Sequence, residues 1–554
     1  MRFLLVFITV LLSYNSSTSQ VFSKKDSLRG YLYPERSSYD VFYYDLNLNI
    51  VPEDQYIEGY NDIYFHMLDD MEMIQIDLFE NLNISKIELF NLCDKEDIKI
   101  ISNPKEISFD REFNAVYVNF SSKLIKDQNY MIRVFYYGNP RKAVNPPWDG
   151  GFSWEKDSNN NYWVGVSCQG LGASSWWPNK DHQSDEPDSM LITCKVPENL
   201  KCISNGNLVD YSDDENIYSW FVSYPINNYN VSINIGDYIN FRESYIIEND
   251  TLDLSYYVLS YNLKKARSHF AQVSPMLDCF YKYFGKYPFW DDGFALIETT
   301  YLGMEHQSGI SYGNKYLPGY KGNTDFIAGL DFDFIIVHET GHEWWGNLIT
   351  TNDIADMWVH EGFCTYSELL YVECRYGYQK MLDYANKQKM YIKNDSPIVG
   401  CYHVNHQGSS DMYNKGSLML HTLRSLISND ELWFNIIKDL LKKFEYQTVD
   451  ASEIIDFLCK ETKMNLNSFF DQYLNYKNLP EFQYELIREG RNITLKYRWV
   501  AINNFEMPIL LEYNNEDIWI YPTNEWKEKS LGKIDIRDFR VKEELFLIKI
   551  KKVK

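Results

Sequence analysis

His338 and His342 stand four residues apart in FIIVHETGHEWWGN (residues 334–347), with Glu339 beside the first, inside an apolar, aromatic-rich run. On a helix, positions four apart share one face, so both imidazoles reach a single metal ion. Imidazole suits zinc, and a catalytic zinc takes three protein ligands while leaving one position for water or substrate. Glu339 is then placed to touch a water on that metal without ligating it. The competing reading is a core helix with two unliganded histidines. It requires a buried partner for each ring, and H-E-x-x-H seldom arises by chance in a chain with ten histidines.

The third ligand has to be presented by a neighbouring element. DMWVHEGFCTYSELLY (residues 356–371) offers Glu361, nineteen residues after His342, on a second helix. His360 competes next door, but on a helix it points about 100° away and cannot share the role with Glu361. Glu368, two turns further on, is placed either to hydrogen-bond a ligand histidine or to sit on the surface as a solvated carboxylate.

His338-Glu339-x-x-His342 with Glu361 at this spacing resembles the aminopeptidase N-like (M1-type, gluzincin) family of zinc metallopeptidases. HEWWGN and MWVHEGFCTYSE look like that family's zinc helix and ligand helix, and the resemblance runs from about residue 40 to 540. It implies one Zn2+ per chain and peptide substrates with a free N-terminus. YLGMEHQSG (residues 301–309) is similar to the family's G-x-M-E-N stretch, an edge strand lining the cleft. Leu302 and His306 depart from that motif, while Met304 and Glu305 keep it. The resemblance makes Glu305 the group that binds the substrate's α-amine, with Gly303 and Met304 beside it. A buried carboxylate facing a cationic amine is a strong, directional contact. Gln169 in SCQGLGASSWWP looks like a second amine-side residue, and Tyr301 is placed to line the first side-chain pocket. DMYNKGSLML resembles the family's Y-x-K-G motif and nominates Tyr413 to stabilise charge on the carbonyl oxygen. Larger members append a helical domain over the cleft; with about 75 residues after Leu479, the expectation is an open site without basic residues from such a domain. A zinc endopeptidase of the same helix class, an epoxide hydrolase and a catalytically inactive peptide-binding protein on this fold are the alternatives.

At 554 residues the chain is too long for one core. From about residue 40 the pattern has period two: VFYYDLNLNI puts Phe42, Tyr44, Leu46, Leu48 and Ile50 on one face. The pattern predicts an antiparallel β domain over 20–245. A helix is expected over 262–284, stopped by Gly285, and further helices over 331–348, 357–376, 411–426, 430–444 and 450–461. Alternation returns after residue 479. The expectation is an α+β multidomain chain: an N-terminal antiparallel β domain, a thermolysin-like, mainly helical catalytic domain over 246–479 and a short C-terminal β-sandwich-like module over 480–554.

A net charge of −24 opposes a nucleic-acid partner. Residues 1–19 read as a signal peptide, with Arg2 before an apolar run too short to span a bilayer, so export to the periplasm or outside is expected without stable membrane insertion. Nine cysteines form no C-x-x-C pair. Cys194 and Cys202 bracket a hairpin and are read as small buried hydrophobes in preference to a bridge.

Overall fold

The computed structural model describes residues 21–93, 99–100 and 103–553, and the expected signal peptide lies outside them. Strand Tyr39–Val51 runs beside Tyr56–Met67 antiparallel and Ser189–Lys195 parallel, in the middle of an eleven-stranded sheet. A four-stranded sheet, Lys201–Ser204, Ile233–Gly236, Tyr162–Ser167 and Gly151–Lys156, shares one apolar core with it. One feature of the expected alternation fails. A bulge between Val41 and Tyr43 shifts the phase, so Val41, Tyr44, Leu46, Leu48 and Ile50 enter the core while Phe42 packs with Tyr64 on the other face. An extra residue in one strand re-aims everything before it.

The second layer begins earlier than the composition change implied. Strands Tyr238–Ile247, Asp250–Leu259, Phe294–Glu298, Gly309–Tyr312 and Gly303–Met304 form a five-stranded sheet, with Gly303–Met304 at its edge. A break at 245/246 falls inside the first of these strands. The hairpin packs with the helical domain, because its Phe241, Leu252, Leu254 and Tyr256 join the core of that domain. The helix expected over 262–284 is two helices, Leu263–Phe270 and Val273–Phe284. Pro275 lacks the N–H that would continue the ladder, and its ring clashes with the carbonyl four residues back, at Ala271.

The helices around the metal motif are Phe334–Gly341, Trp358–Tyr376, Tyr378–Lys389 and Asn414–Ile427. All eight residues of Phe334–Gly341 are buried, the polar His338, Glu339 and Thr340 included. Cys279 and Cys374 form a disulfide between helix Val273–Phe284 and the far end of Trp358–Tyr376. Cys194 and Cys202 are free, buried thiols. A four-stranded and a three-stranded sheet make up the C-terminal module, and Phe482, Leu495, Trp499 and Leu511 join its interior to the helical core. Among the described residues no helix is long and apolar enough to cross a membrane.

Candidate metal centre and amine site

Asp333 sets the start of the histidine helix Phe334–Gly341. Its carboxylate accepts from the backbone N–H groups of Ile335 and Ile336, and also from Tyr312 Oη and Asn314 Nδ2, while His269 Nε2 lies 2.7 Å away. One turn later His338 and His342 bring their Nε2 atoms to 3.3 Å of each other. Glu361, in the first turn of Trp358–Tyr376, places Oε2 at 3.6 Å from His338 Nε2 and 3.3 Å from His342 Nε2.

These three atoms fit a zinc ion. A tetrahedral ion with ligand bonds of about 2.0–2.1 Å holds its ligands roughly 3.3 Å apart. Glu361 Oε2 is buried and accepts no hydrogen bond, an arrangement that costs energy unless a cation meets it. The opposite ring nitrogens are already engaged: His338 Nδ1 with Glu368 Oε1 at 2.7 Å, and His342 Nδ1 with the Trp345 carbonyl at 2.9 Å. Those partners fix the tautomers that turn both Nε2 lone pairs toward the shared point. Cys364 lies close by, but its thiol donates to the His338 carbonyl on the Nδ1 side of the ring. His360 is no ligand, since its Nε2 accepts from the Thr351 N–H at 2.9 Å.

Two glycines set the distances between elements. A Cβ on Gly303 would lie 2.8 Å from Glu339 Oε1 and 2.5 Å from Ile335, so only glycine lets the edge strand lie against the histidine helix. Gly303 thus abuts Glu339. Gly362 and Gly416 face each other across two helices, where a Cβ on Gly416 would come within 3.0 Å of Gly362 Cα. That contact brings Tyr413, at the start of Asn414–Ile427, close enough to donate to Glu361 Oε1 at 2.9 Å.

On the other side, Gln169 Nε2 donates to Glu305 Oε1 at 2.5 Å and reaches Glu361 Oε1 at 3.4 Å. Oxygens of Glu305 and Glu361 and a ring nitrogen of His342 lie within 4.8 Å of one another. Met304 and Glu305 line a cleft of about 1060 Å³ together with the ligands, Glu339 and Tyr413. Tyr301 does not line it. Its ring belongs to the N-terminal core and its hydroxyl donates to the Val166 carbonyl. His306 is buried against Ser311, and burial pushes its ring down to about 3, so it stays neutral.

Electrostatics separate the carboxylates. Burial pushes Glu339 up to about 8. Burial also opposes ionisation of Glu361, but His342 and His338 outweigh it and hold that carboxyl well below the usual range. Residues invisible to motif reading complete the support: Asn347 donates to the Glu305 carbonyl, and Tyr384 and Gln388 donate to Glu368 Oε2. No motif marks them: Asn347 lies in the turn after the histidine helix, and Tyr384 and Gln388 lie on the separate helix Tyr378–Lys389.

An antiparallel β domain joined to a helical domain, with a histidine helix facing an edge strand, is the architecture of zinc metallopeptidases of the M1 type. An M1 zinc metallopeptidase from Deinococcus radiodurans shares this fold, with a TM-score of 0.64 at 18% identity over 80% of this chain and 95% of that one. Residues 269–473 match the peptidase family M1 domain. It is similar to a putative aminopeptidase-2 of Caenorhabditis elegans (22% identity over 395 residues, 65% of this chain) and to leucyl aminopeptidase of Saccharolobus solfataricus (20% over 467 residues, 79% of this chain). The matches span 20% and 56% of those two proteins' lengths.

Proposed function

We propose that the chain is a zinc-dependent aminopeptidase that hydrolyses the N-terminal peptide bond of peptides. The observation that carries this reading is the Glu305–Gln169 pair, which stands beside the His338, His342, Glu361 cluster, with Glu305, His342 and Glu361 atoms within 4.8 Å of one another. Zinc bound by that cluster supplies Lewis acidity and lowers the pKa of a coordinated water. Glu305 and Gln169 hold the substrate ammonium and so fix which bond is cut. Glu339 takes the proton of the attacking water and passes it to the leaving amine. Tyr413 turns its hydroxyl from Glu361 to the carbonyl oxygen as charge develops there.

Secretion is part of the same proposal. It rests on residues 1–19 and is supported by the Cys279–Cys374 bridge, since such bonds persist in oxidising compartments.

The test is Glu339→Gln assayed on an unblocked peptide with metal content measured in parallel. Turnover is expected to fall by about 10²–10⁴-fold with bound zinc unchanged. Retained turnover removes the general-base role.

A further inference from the structure

Arg29 lines the cleft with no anion to meet its charge. Among the described residues its guanidinium makes no hydrogen bond and no ion pair. The acidic charges that act on it, Asp181 and Asp77, are already taken. Asp181 Oδ2 accepts from the Ser174 N–H and from Ser174 Oγ, and Asp77 Oδ2 pairs with Arg36 at 2.5 Å. Burial lowers the pKa of Arg29, and those two charges offset only part of the effect. A partly buried cation without a partner costs energy until an anion reaches it.

The chain holds this side chain in place from three sides. Arg36 Nη1 donates to the Arg29 carbonyl at 2.6 Å, at the end of helix Lys24–Gly30, while Arg36 Nη2 is anchored on Asp77. Gly30 lies against the Val404 backbone, where a Cβ would come within 2.5 Å, and Tyr31 packs edge-on against His403 at 5.4 Å. Gly172 leaves room for the guanidinium, since a Cβ there would lie 2.4 Å from Arg29 Nη2. Arg29 also lines a smaller recess beside the cleft, and the two share Gln169, Gly170, Ile354 and Asn405. Gln169 is the residue that donates to Glu305, so a group in the recess lies beside the amine site, where the side chain of a first residue begins. Lys393, the other Lys or Arg among the described residues lining the cleft, already donates to Ser410 Oγ at 3.0 Å.

We propose that Arg29 binds a carboxylate of the substrate and favours peptides that begin with glutamate or aspartate. The inference rests on the aminopeptidase reading and deepens it. A guanidinium offers a carboxylate two parallel N–H donors, whereas the amide of glutamine presents one oxygen and no charge. The same fork fits the C-terminal carboxylate of a short peptide, so the two sources are measured apart.

The measurement is kcat/KM for Glu-Ala-amide against Gln-Ala-amide, alongside Ala-Ala against Ala-Ala-amide. A preference of at least about tenfold for the glutamate peptide is expected, the size of one charge-assisted contact. In Arg29→Met, which keeps the apolar stem, the ratio is expected to fall to about twofold or less, and Arg29→Lys is expected to retain part of it. Each ratio is taken within one variant, so a general loss of activity cancels. A preference seen only for Ala-Ala over its amide, and lost in Arg29→Met, keeps the carboxylate site and overturns its placement at the first residue. Wild-type ratios within about twofold for both pairs, or ratios that Arg29→Met leaves intact, overturn the site while sparing the aminopeptidase reading. Hydrolysis of none of the four peptides overturns both.

Discussion

Tyr413 donates to Glu361 Oε1, and its ring lies within 27° of parallel to His338, which confines the hydroxyl to the neighbourhood of the cluster. A group there serves the transition state more than the ground state, because charge on the carbonyl oxygen grows only as the bond is attacked. Tyr413→Phe is therefore expected to lower kcat by about 10²–10³-fold with KM little changed. A change in KM alone, read from steady-state curves, makes Tyr413 a binding residue instead. The ligands, Glu339 and Tyr413 were nominated by spacing and motif, and the fold brings them together. Tyr301 was misjudged because its place just before the edge strand Gly303–Met304 does not say whether its ring enters the cleft or the N-terminal core, where it packs.

At the scale of elements, the helix Trp358–Tyr376 carries two tasks two turns apart. Glu361 faces the Nε2 atoms of His338 and His342, and Glu368, 1% exposed, orients His338 while accepting from Tyr384 and Gln388. Sequence left Glu368 balanced between this role and a solvated surface, since nothing local distinguishes a buried helix face from an exposed one at that position. Replacing Glu368 with Gln keeps the shape and removes the charge that raises imidazole basicity. Zinc affinity is expected to fall by about 10–100-fold, measured by chelator competition; unchanged affinity removes Glu368 from the site. The main helices were legible because their apolar spacing is long and regular. The division at Ala271–Gln272 and the bulge at Val41–Tyr43 were not, because one proline or one extra residue decides each.

Across the whole molecule, the helix that positions Tyr413 is tied by Lys415 to the segment just before the C-terminal module. Its buried ammonium donates to the Tyr476 carbonyl at 2.7 Å, and burial lowers its pKa from 10.5 to about 8. Below pH 8 the folded and unfolded chains both hold the proton. Between about pH 8 and 10.5 the unfolded chain holds more of it, so this group's contribution to stability rises with pH. The stability difference between wild type and Lys415→Met is expected to move in favour of wild type as pH rises from 7.5 to 9.5, followed by urea unfolding; a flat difference shows that Lys415 does not titrate there. No local pattern announces such a tie, because its partners are backbone carbonyls some sixty residues away. The central claim concerns the whole cleft: a metal cluster with an amine anchor beside it. The most direct measurement is mass spectrometry of a mixed peptide set, free and N-acetylated, incubated with the protein with and without a zinc chelator. Single residues lost from free N-termini only, and only without chelator, are the predicted result. Cuts inside acetylated peptides contradict the amine anchor and make the protein an endopeptidase, and an absence of cuts makes it a binding protein on this fold.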